Sequence, residues 1–574
     1  MRPTHVNIIG RSKGHFASDV QRRLRDDKVF QLVRRLTPGS TIIELSDLVR
    51  TAEDIDPLIA FLLQRGIPIA DIRVRYPSAS GEAFVSQSLA AGLDASALTF
   101  GPDVAERDDG LARYFVKTGA FLAVQQHKRH LVVGPKGSGK SAMLRELNTR
   151  NHNSLVVTPE HYATEVLQAL QKNPFGAELS AFITTWKYTL LVEIFRRLVQ
   201  RHIGDAGSIA ELRRYLVAHG HLDSDMTLFE RFVEYLRRIG KVKGKIGPVE
   251  AEITGDSVEQ LNKLFKMDEL LGLVPALQKA LRRNPFTVFI DELDQSWDNS
   301  GTANQFLISL LTAAIQLRGL ADNLHVIVFL RSEIFDLLKP HLPQLDKVRT
   351  DTETIQWSRR DLANLIAIRA LDSLQISNTV SAESVLRLIF PGTVDSTQLP
   401  GFDYIVSRTS FRPREVIQFC NLALATAKAE GKATIDADAI RRAEEEFSSW
   451  KLEYLVAENM YIHPRLDDLL DQLRGASKRQ TYEALDSNLS DILLRAAERS
   501  PKPSWFRDDL EPVSVIELLY QLEIVGIEKI TREKFASNRP WEGYDFVFSR
   551  PKGKPERSQS FLFHPGLWST LELV

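Results

Sequence analysis

The sequence predicts an α/β protein of several domains, organised around a parallel sheet that carries a phosphate-binding loop. Three observations predict this. Five short apolar segments, 130–134, 154–158, 287–290, 325–330 and 352–357, alternate with helical stretches, and strands so rich in Val, Ile, Leu and Phe suit a sheet covered on both faces. A glycine-rich pattern, Gly134-Pro135-Lys136-Gly137-Ser138-Gly139-Lys140-Ser141, joins the first of these strands to a helix over 142–148, which is the context such a loop requires. The length of 574 residues, at roughly 150 per domain, gives three to four domains.

Composition narrows the function classes. Hydrophobic residues are 43% and charged residues 26% of the chain, which excludes wholesale disorder, collagen-like repeats and a long coiled coil. Lys plus Arg number 73 against 74 Asp plus Glu, so no global positive field draws the protein to nucleic acid. The longest nearly uncharged apolar run, 306–317, is short of the ~18–20 residues that span a bilayer. Met1-Arg2-Pro3-Thr4 opens no signal-like apolar region, so the expectation is a cytoplasmic protein without a membrane partner. The single cysteine, Cys420, cannot form an internal disulfide and reads as a core thiol.

In chain order, residues 5–75 read as strand, helix, strand, helix, strand over 5–9, 19–35, 40–45, 54–64 and 69–75. That alternation predicts a small α/β domain over 1–97, with a further helix over 81–92. Gly10-Arg11-Ser12-Lys13-Gly14 matches no nucleotide motif, so packing or partner binding is the expected role. Phe100-Gly101-Pro102-Asp103 marks the turn into the sheet domain, 98–357. Its first and third strands are separated by far more chain than the ~30 residues of one βαβ unit, which predicts an insertion over about 174–253. The insertion is helical to 238 and closes in a possible ribbon at 241–253 with a basic first arm, either a solvated hairpin or a contact to nucleic acid or a partner. A helical lid follows over 358–450, then a tail over 451–574. The tail ends in helices, including 513–525, and strands at 544–549 and 559–563, an order suggesting a winged-helix-like domain.

The glycine-rich loop carries the chemistry. Phosphates need inward-pointing backbone N–H groups at a helix N-terminus, and Gly134, Gly137 and Gly139 let the chain wrap that tightly. Pro135, Lys136, Ser138 and Ala142 complete the cradle, Lys140 neutralises the β- and γ-phosphates, and the Ser141 hydroxyl ligates Mg²⁺. The apolar run Phe286-Thr287-Val288-Phe289-Ile290 ends in Asp291 and Glu292. Asp291 is expected to hold the metal through its water shell, and Glu292 to orient and deprotonate the attacking water. These residues together predict ATP and Mg²⁺ as ligands and hydrolysis as the reaction. Asp294 and Asp298 either assist the metal or bind a partner, or serve as helix-cap or solvated acids.

Four arginines are candidate sensors. Arg331, at the end of the 325–330 strand, either senses the γ-phosphate or pairs with Asp336 or another local acid. Lys347 and Arg349 precede the last core strand, where a cation could reach a neighbouring subunit's nucleotide and contribute ~10³–10⁵ in rate, or form a solvated charge run. Arg412 and Arg414 flank Pro413 at the start of a lid helix, where either could fold onto the phosphates.

Phe100-Gly101 with Tyr114-Phe115, Ile290-Asp291-Glu292-Leu293-Asp294, Leu330-Arg331-Ser332-Glu333-Ile334-Phe335, Ile355-Gln356-Trp357-Ser358 and Phe411-Arg412-Pro413-Arg414 together resemble bacterial P-loop ATPases of the AAA+/STAND type with an origin-recognition-like core. The resemblance covers roughly 98–450 and extends loosely to Phe561-Leu562-Phe563-His564-Pro565, leaving 1–95 outside. It implies a core ATPase followed by a helical lid, adenine held by the segment before the loop, nucleotide-dependent switching or assembly as a homo-oligomer or with a partner protein, and an association with mobile elements or antiphage defence. Arg331 stands where such ATPases often have Asn or Thr. Three functions fit: an ATP-hydrolysing switch, a DNA-associated ATPase, and a nucleotide-gated scaffold. Against DNA, the 513–525 helix carries Glu517 and Glu523 and no Lys or Arg, although the 550–557 stretch is basic.

Overall fold

The computed structural model describes residues 5–10, 33–36, 42–45, 58, 69–78, 81–87, 97–158, 179–222, 230–232, 234, 263, 265–294, 297–343, 345–375, 381–394, 398–503, 505–528, 546–547, 555–557 and 559–574. Two compact units divide the chain, one of residues 117–356 and one of 1–116 with 357–574. Among the described residues no helix is long and apolar enough to cross a membrane.

At the start of the chain, β1 (His5–Gly10), β2 (Val33–Leu36), β3 (Ile42–Leu45), β4 (Ile69–Ser78) and β5 (Gly81–Gln87) form a sheet of order β2-β3-β1-β4-β5. Every pairing in it is antiparallel. Two expectations are corrected here. Residues 33–35 are strand where a helix end was expected, and 81–87 are strand where a helix was expected over 81–92. The β4–β5 register sets Ser78 opposite Gly81, so a tight hairpin joins the two strands and their ladder overrides local helix propensity. The helices expected over 19–35 and 54–64 otherwise lie outside the described residues, except that Leu58 is helical and buried.

In unit 117–356 the described elements are α1 (Gly119–Gln125), β6 (Leu131–Gly134), α2 (Lys140–Arg150), β7 (Ser154–Val157), α3 (Leu179–Arg201), α4 (Ala206–Ala218), α5 (Met267–Leu271) and α6 (Val274–Leu281). They are followed by β8 (Phe286–Ile290), α7 (Gly301–Arg318), β9 (Leu324–Arg331), α8 (Ser332–Leu338), α9 (Leu345–Asp351) and β10 (Thr352–Thr354). The sheet is parallel throughout, with order β10-β6-β9-β8-β7. Every residue of β6 and β8 is buried, as the continuous apolar runs require of strands covered on both faces. Because all five strands point one way, the residues following them share one edge, where α/β sheets bind ligands. His130 and His325 lie at the opposite edge, where β6 and β9 begin. Helix α3 of the insertion is fastened to α7 through Trp186, whose ring lies 5.0 Å from Phe306 and 4.4 Å from Phe232. The ribbon expected at 241–253 lies outside the described residues.

The other unit continues with α10 (Arg359–Ser373), α11 (Ala382–Ile389), β11 (Thr393–Val394), β12 (Leu399–Pro400), α12 (Gly401–Ser407), α13 (Pro413–Ala429) and α14 (Ala437–Asn459). Ser358 and Asp361 cap α10 reciprocally, satisfying two of its free N–H groups. Leu98 and Phe100 are buried in the core of these helices, and Phe100 stacks on Phe390. Cys420 is fully buried, and desolvation pushes its thiol well above its ordinary value, as expected of a core thiol.

The tail comprises α15 (Leu466–Asp471), β13 (Arg479–Thr481), α16 (Tyr482–Glu498), α17 (Pro512–Gln521), β14 (Val525–Glu528), β15 (Phe546–Val547) and β16 (Ser560–Phe563). The helix expected over 513–525 ends at Gln521, and the two expected strands do not pair with each other. Each pairs instead with β14, giving an antiparallel sheet of order β13-β16-β14-β15. Glu523 adopts a left-handed φ of 61°, which stops the helix, and the alternating Val525 and Ile527 then suit a strand.

A buried ion pair fixes the segment ahead of residue 117 to the helices. Arg369 is 5% exposed and donates to Asp108 (2.8 Å), to the Phe100 carbonyl (2.8 Å) and to the Pro102 carbonyl (3.1 Å). Its guanidinium lies 4.6 Å from the Tyr114 ring, whose hydroxyl donates to Asp108. Removing one partner strands a desolvated charge. Arg369→Met is therefore expected to destabilise this unit by about 3–5 kcal/mol, read as a lowered urea midpoint; an unchanged midpoint would show that the pair does not secure the segment.

Candidate functional site

The loop after β6 takes its shape from its glycines. A Cβ on Gly134 would lie 2.5 Å from the Ser138 hydroxyl and 3.3 Å from Ile355, and Gly137 and Gly139 adopt φ of 76° and 95°, a region that L side chains resist. Lys140 is the first residue of α2, and its ammonium folds back to donate to the carbonyls of Gly134 (2.9 Å) and Pro135 (3.0 Å). The free N–H groups of the first α2 turn therefore open at the same place as a cation.

Acidic residues face this cation. Burial lowers the Lys140 ammonium below its ordinary value, while Asp294, Asp291 and Glu333 pull it back up and Arg331 opposes them. Burial raises the Asp291 carboxyl, opposed by the Glu292 backbone N–H, by Lys140 and by a hydrogen bond from Ser141. The Ser141–Asp291 contact joins the start of α2 to the end of β8 and gathers oxygen donors of the kind that hold Mg²⁺. Oxygen donors of this kind suit a hard cation such as Mg²⁺. Glu292 is half-buried in a left-handed conformation with φ of 61°. Such backbone costs on the order of 1–3 kcal/mol and clusters at functional sites.

Arg331 lies opposite Gly134 in the β6–β9 register. Its guanidinium sits 3.5 Å from Asp294 and 3.4 Å from Glu333. Arg331 is thus paired with local acids, and Asp336, the acid the sequence named first, accepts from Lys339 (2.7 Å). Asp294 thus faces both Lys140 and Arg331, while the helix cap after β8 is provided by Ser300. Sequence reasoning assigned no role to Glu333; its position two residues beyond the strand-end arginine is the only sequence signal. The cluster alternates two cations and several carboxylates, so an anionic group arriving at Lys140 would compete with carboxylates already there.

The remaining arginines have other surroundings. Arg349 is exposed on α9, as is Lys347. Arg412 and Arg414 belong to the other unit, where Arg412 donates to Glu458 (2.7 Å) and lies 3.6 Å from Glu415, and Arg414 lies 3.8 Å from Asp103 and donates to the Tyr454 hydroxyl.

Comparison with known proteins adds four likenesses. Residues 360–456, spanning most of α10 to α14, match the family described as FunZ-associated C-terminal helical domain. The chain is 23% identical over 492 residues to the 80.3 kDa protein named for transposon gamma-delta in Escherichia coli (strain K12), covering 83% of this chain and 67% of that protein. Among solved structures it is similar to the Walker-type ATPase of Pyrococcus abyssi, at 11% identity and a TM-score of 0.35, covering 80% of this chain and 96% of that one. It is similar also to the Aeropyrum pernix ORC2 protein in its ADP form, at 15% identity and a TM-score of 0.31, covering 80% and 92% respectively.

Proposed function

We propose that this chain binds ATP with Mg²⁺ and hydrolyses it, and that the cycle drives a change of conformation or assembly. The observation that carries the reading is the joining of loop and acid strand: Lys140 folded over the Gly134 and Pro135 carbonyls, with Ser141 bonded to Asp291 beside it. Backbone N–H groups of the loop and α2 would receive the phosphates, and Lys140 would neutralise them. Mg²⁺, held by Ser141 and Asp291, would supply charge neutralisation on the phosphate oxygens. Glu292 would accept a proton from the attacking water as the bond from the γ-phosphorus to the ADP oxygen breaks. Arg331 is within reach of the same cluster through Asp294, which suits a group that exchanges its carboxylate partner for a phosphate. The exposed Arg349 would act on a neighbouring copy's nucleotide if the chain assembles.

Calorimetry with and without Mg²⁺ tests the reading. Wild-type protein should take up ATP far more tightly with the metal, and Asp291→Asn and Ser141→Ala should remove the metal-dependent part while leaving residual binding to the loop. No uptake of Mg·ATP by the wild type would refute it.

A nucleic-acid partner is the second reading, motivated by the transposon name of the relative described above. Against it, α17 carries Glu517 and no Lys or Arg, and the basic 550–557 stretch lies largely outside the described residues. Stimulation of hydrolysis by DNA, falling steeply with salt, would favour it over an unassisted switch.

A further inference from the structure

We infer that His127, His130 and His325 form a binding site for a divalent transition-metal ion of the zinc class, at the edge of the parallel sheet opposite the phosphate loop. One nitrogen from each ring lies within 4.8 Å of the others. The three come from separate pieces of chain: the turn after α1, the residue preceding β6, and the second residue of β9. Parallel pairing of β6 with β9, through Leu131 opposite Val328, brings them together.

Two features favour an ion over simple ring packing. The first is the support of His130: its Nδ1–H donates to Asp351 (2.9 Å), whose other oxygen accepts from Arg318 (2.6 Å). A carboxylate on one imidazole nitrogen fixes the tautomer and leaves Nε2 as a lone-pair donor, which is the usual arrangement behind a ligating histidine. The second is His127, whose Nδ1 is buried and has no hydrogen-bond partner among the described residues; buried polar atoms rarely stay so.

Three imidazoles without a carboxylate ligand select borderline ions such as Zn²⁺, Co²⁺, Ni²⁺ or Cu²⁺ over Mg²⁺ and Ca²⁺, so this edge would not compete for the magnesium of the other. The six steps from His325 to Arg331 along β9, at ~3.3 Å each, separate the two edges by roughly 20 Å. His127 and His325 are stacked, with centroids 3.6 Å apart and planes within 3°. Binding one ion requires the two rings to tilt until their nitrogens lie ~3.3 Å apart, the spacing set by two ~2.05 Å bonds at the tetrahedral angle. The fourth position is left to water, and the ion ties the α1–β6 turn to β9.

The test uses the full-length, tag-free chain, stripped with a chelator and titrated with Zn²⁺ against a chromophoric competitor, then with Co²⁺ in the visible range. One ion per chain and Co²⁺ d–d bands are expected, with Asp351→Asn weakening Zn²⁺ affinity ~10–100-fold and alanine at His127, His130 or His325 weakening it more. Circular dichroism and melting of the metal-free variants establish that they fold; should alanine at His325 unfold the edge, His127→Asn, outside the strands, reads the same loss. Zn²⁺ affinity unchanged by His127→Ala and His130→Ala, or no ion held by the wild type below millimolar concentration, overturns the site. Uptake of Mg·ATP by His325→Ala should match wild type, so failure here is distinct from failure of the nucleotide reading.

Discussion

Alanine at Lys140 is expected to lower the affinity for Mg·ATP by ~10²–10³, about 2.7–4 kcal/mol on the scale of losing one preorganised donor to an anionic centre. The structure explains why the loss should reach this size. Lys140 is the cation held at the loop mouth by the Gly134 and Pro135 carbonyls, and Asp291, Asp294 and Glu333 all act on it. Without it, those carboxylates would confront the incoming phosphates with one fewer cation to offset them, and like charges in a part-buried site repel strongly. Lys140→Arg should fail to restore binding, since a planar guanidinium cannot take the place of a compact ammonium bonded to two carbonyls. Calorimetry on variants with wild-type circular dichroism reads the effect. Retention of wild-type affinity by Lys140→Ala would remove the phosphate-binding role from this loop.

Much of the parallel sheet was legible in the sequence because its signals are local. Strands buried on both faces must be apolar at every position, as β8 is from Phe286 to Ile290, and the loop glycines are dictated by backbone conformations at Gly137 and Gly139. What failed depended on pairing rather than on local pattern. Residues 81–87 form β5 because β4 lies alongside across a tight hairpin, and 525–528 form β14 because β15 and β16 flank it; the partner strands could be read, but which segment joins them as a strand is set by the ladder. The same division holds in the site. Lys140, Ser141 and Asp291 announce themselves by spacing, whereas the acids that hold Arg331 follow from how α8 leaves β9 and from the turn after β8. The histidines at 127, 130 and 325 carry no motif, since only the β6–β9 register joins them.

Replacing Glu292 by glutamine separates binding from turnover. The substitution conserves shape and leaves intact the backbone N–H of residue 292 that contributes to the Asp291 carboxylate, so affinity for Mg·ATP should stay within a few-fold of wild type. An amide cannot accept the proton of the attacking water, and loss of general-base assistance should lower the single-turnover rate by ~10²–10⁴. The position argues for this residue over its neighbours. Glu292 is held half-buried by a left-handed backbone that an ordinary turn would avoid, while Asp291 is buried beside Ser141 where the metal is expected. Asp294→Asn should instead weaken the hold on Arg331 and alter nucleotide affinity more than the chemical step. A Glu292→Gln protein that turns over within ~10-fold of wild type would move the base to another group, and one that binds ATP without cleaving it provides a stable complex in which any assembly or partner can be captured.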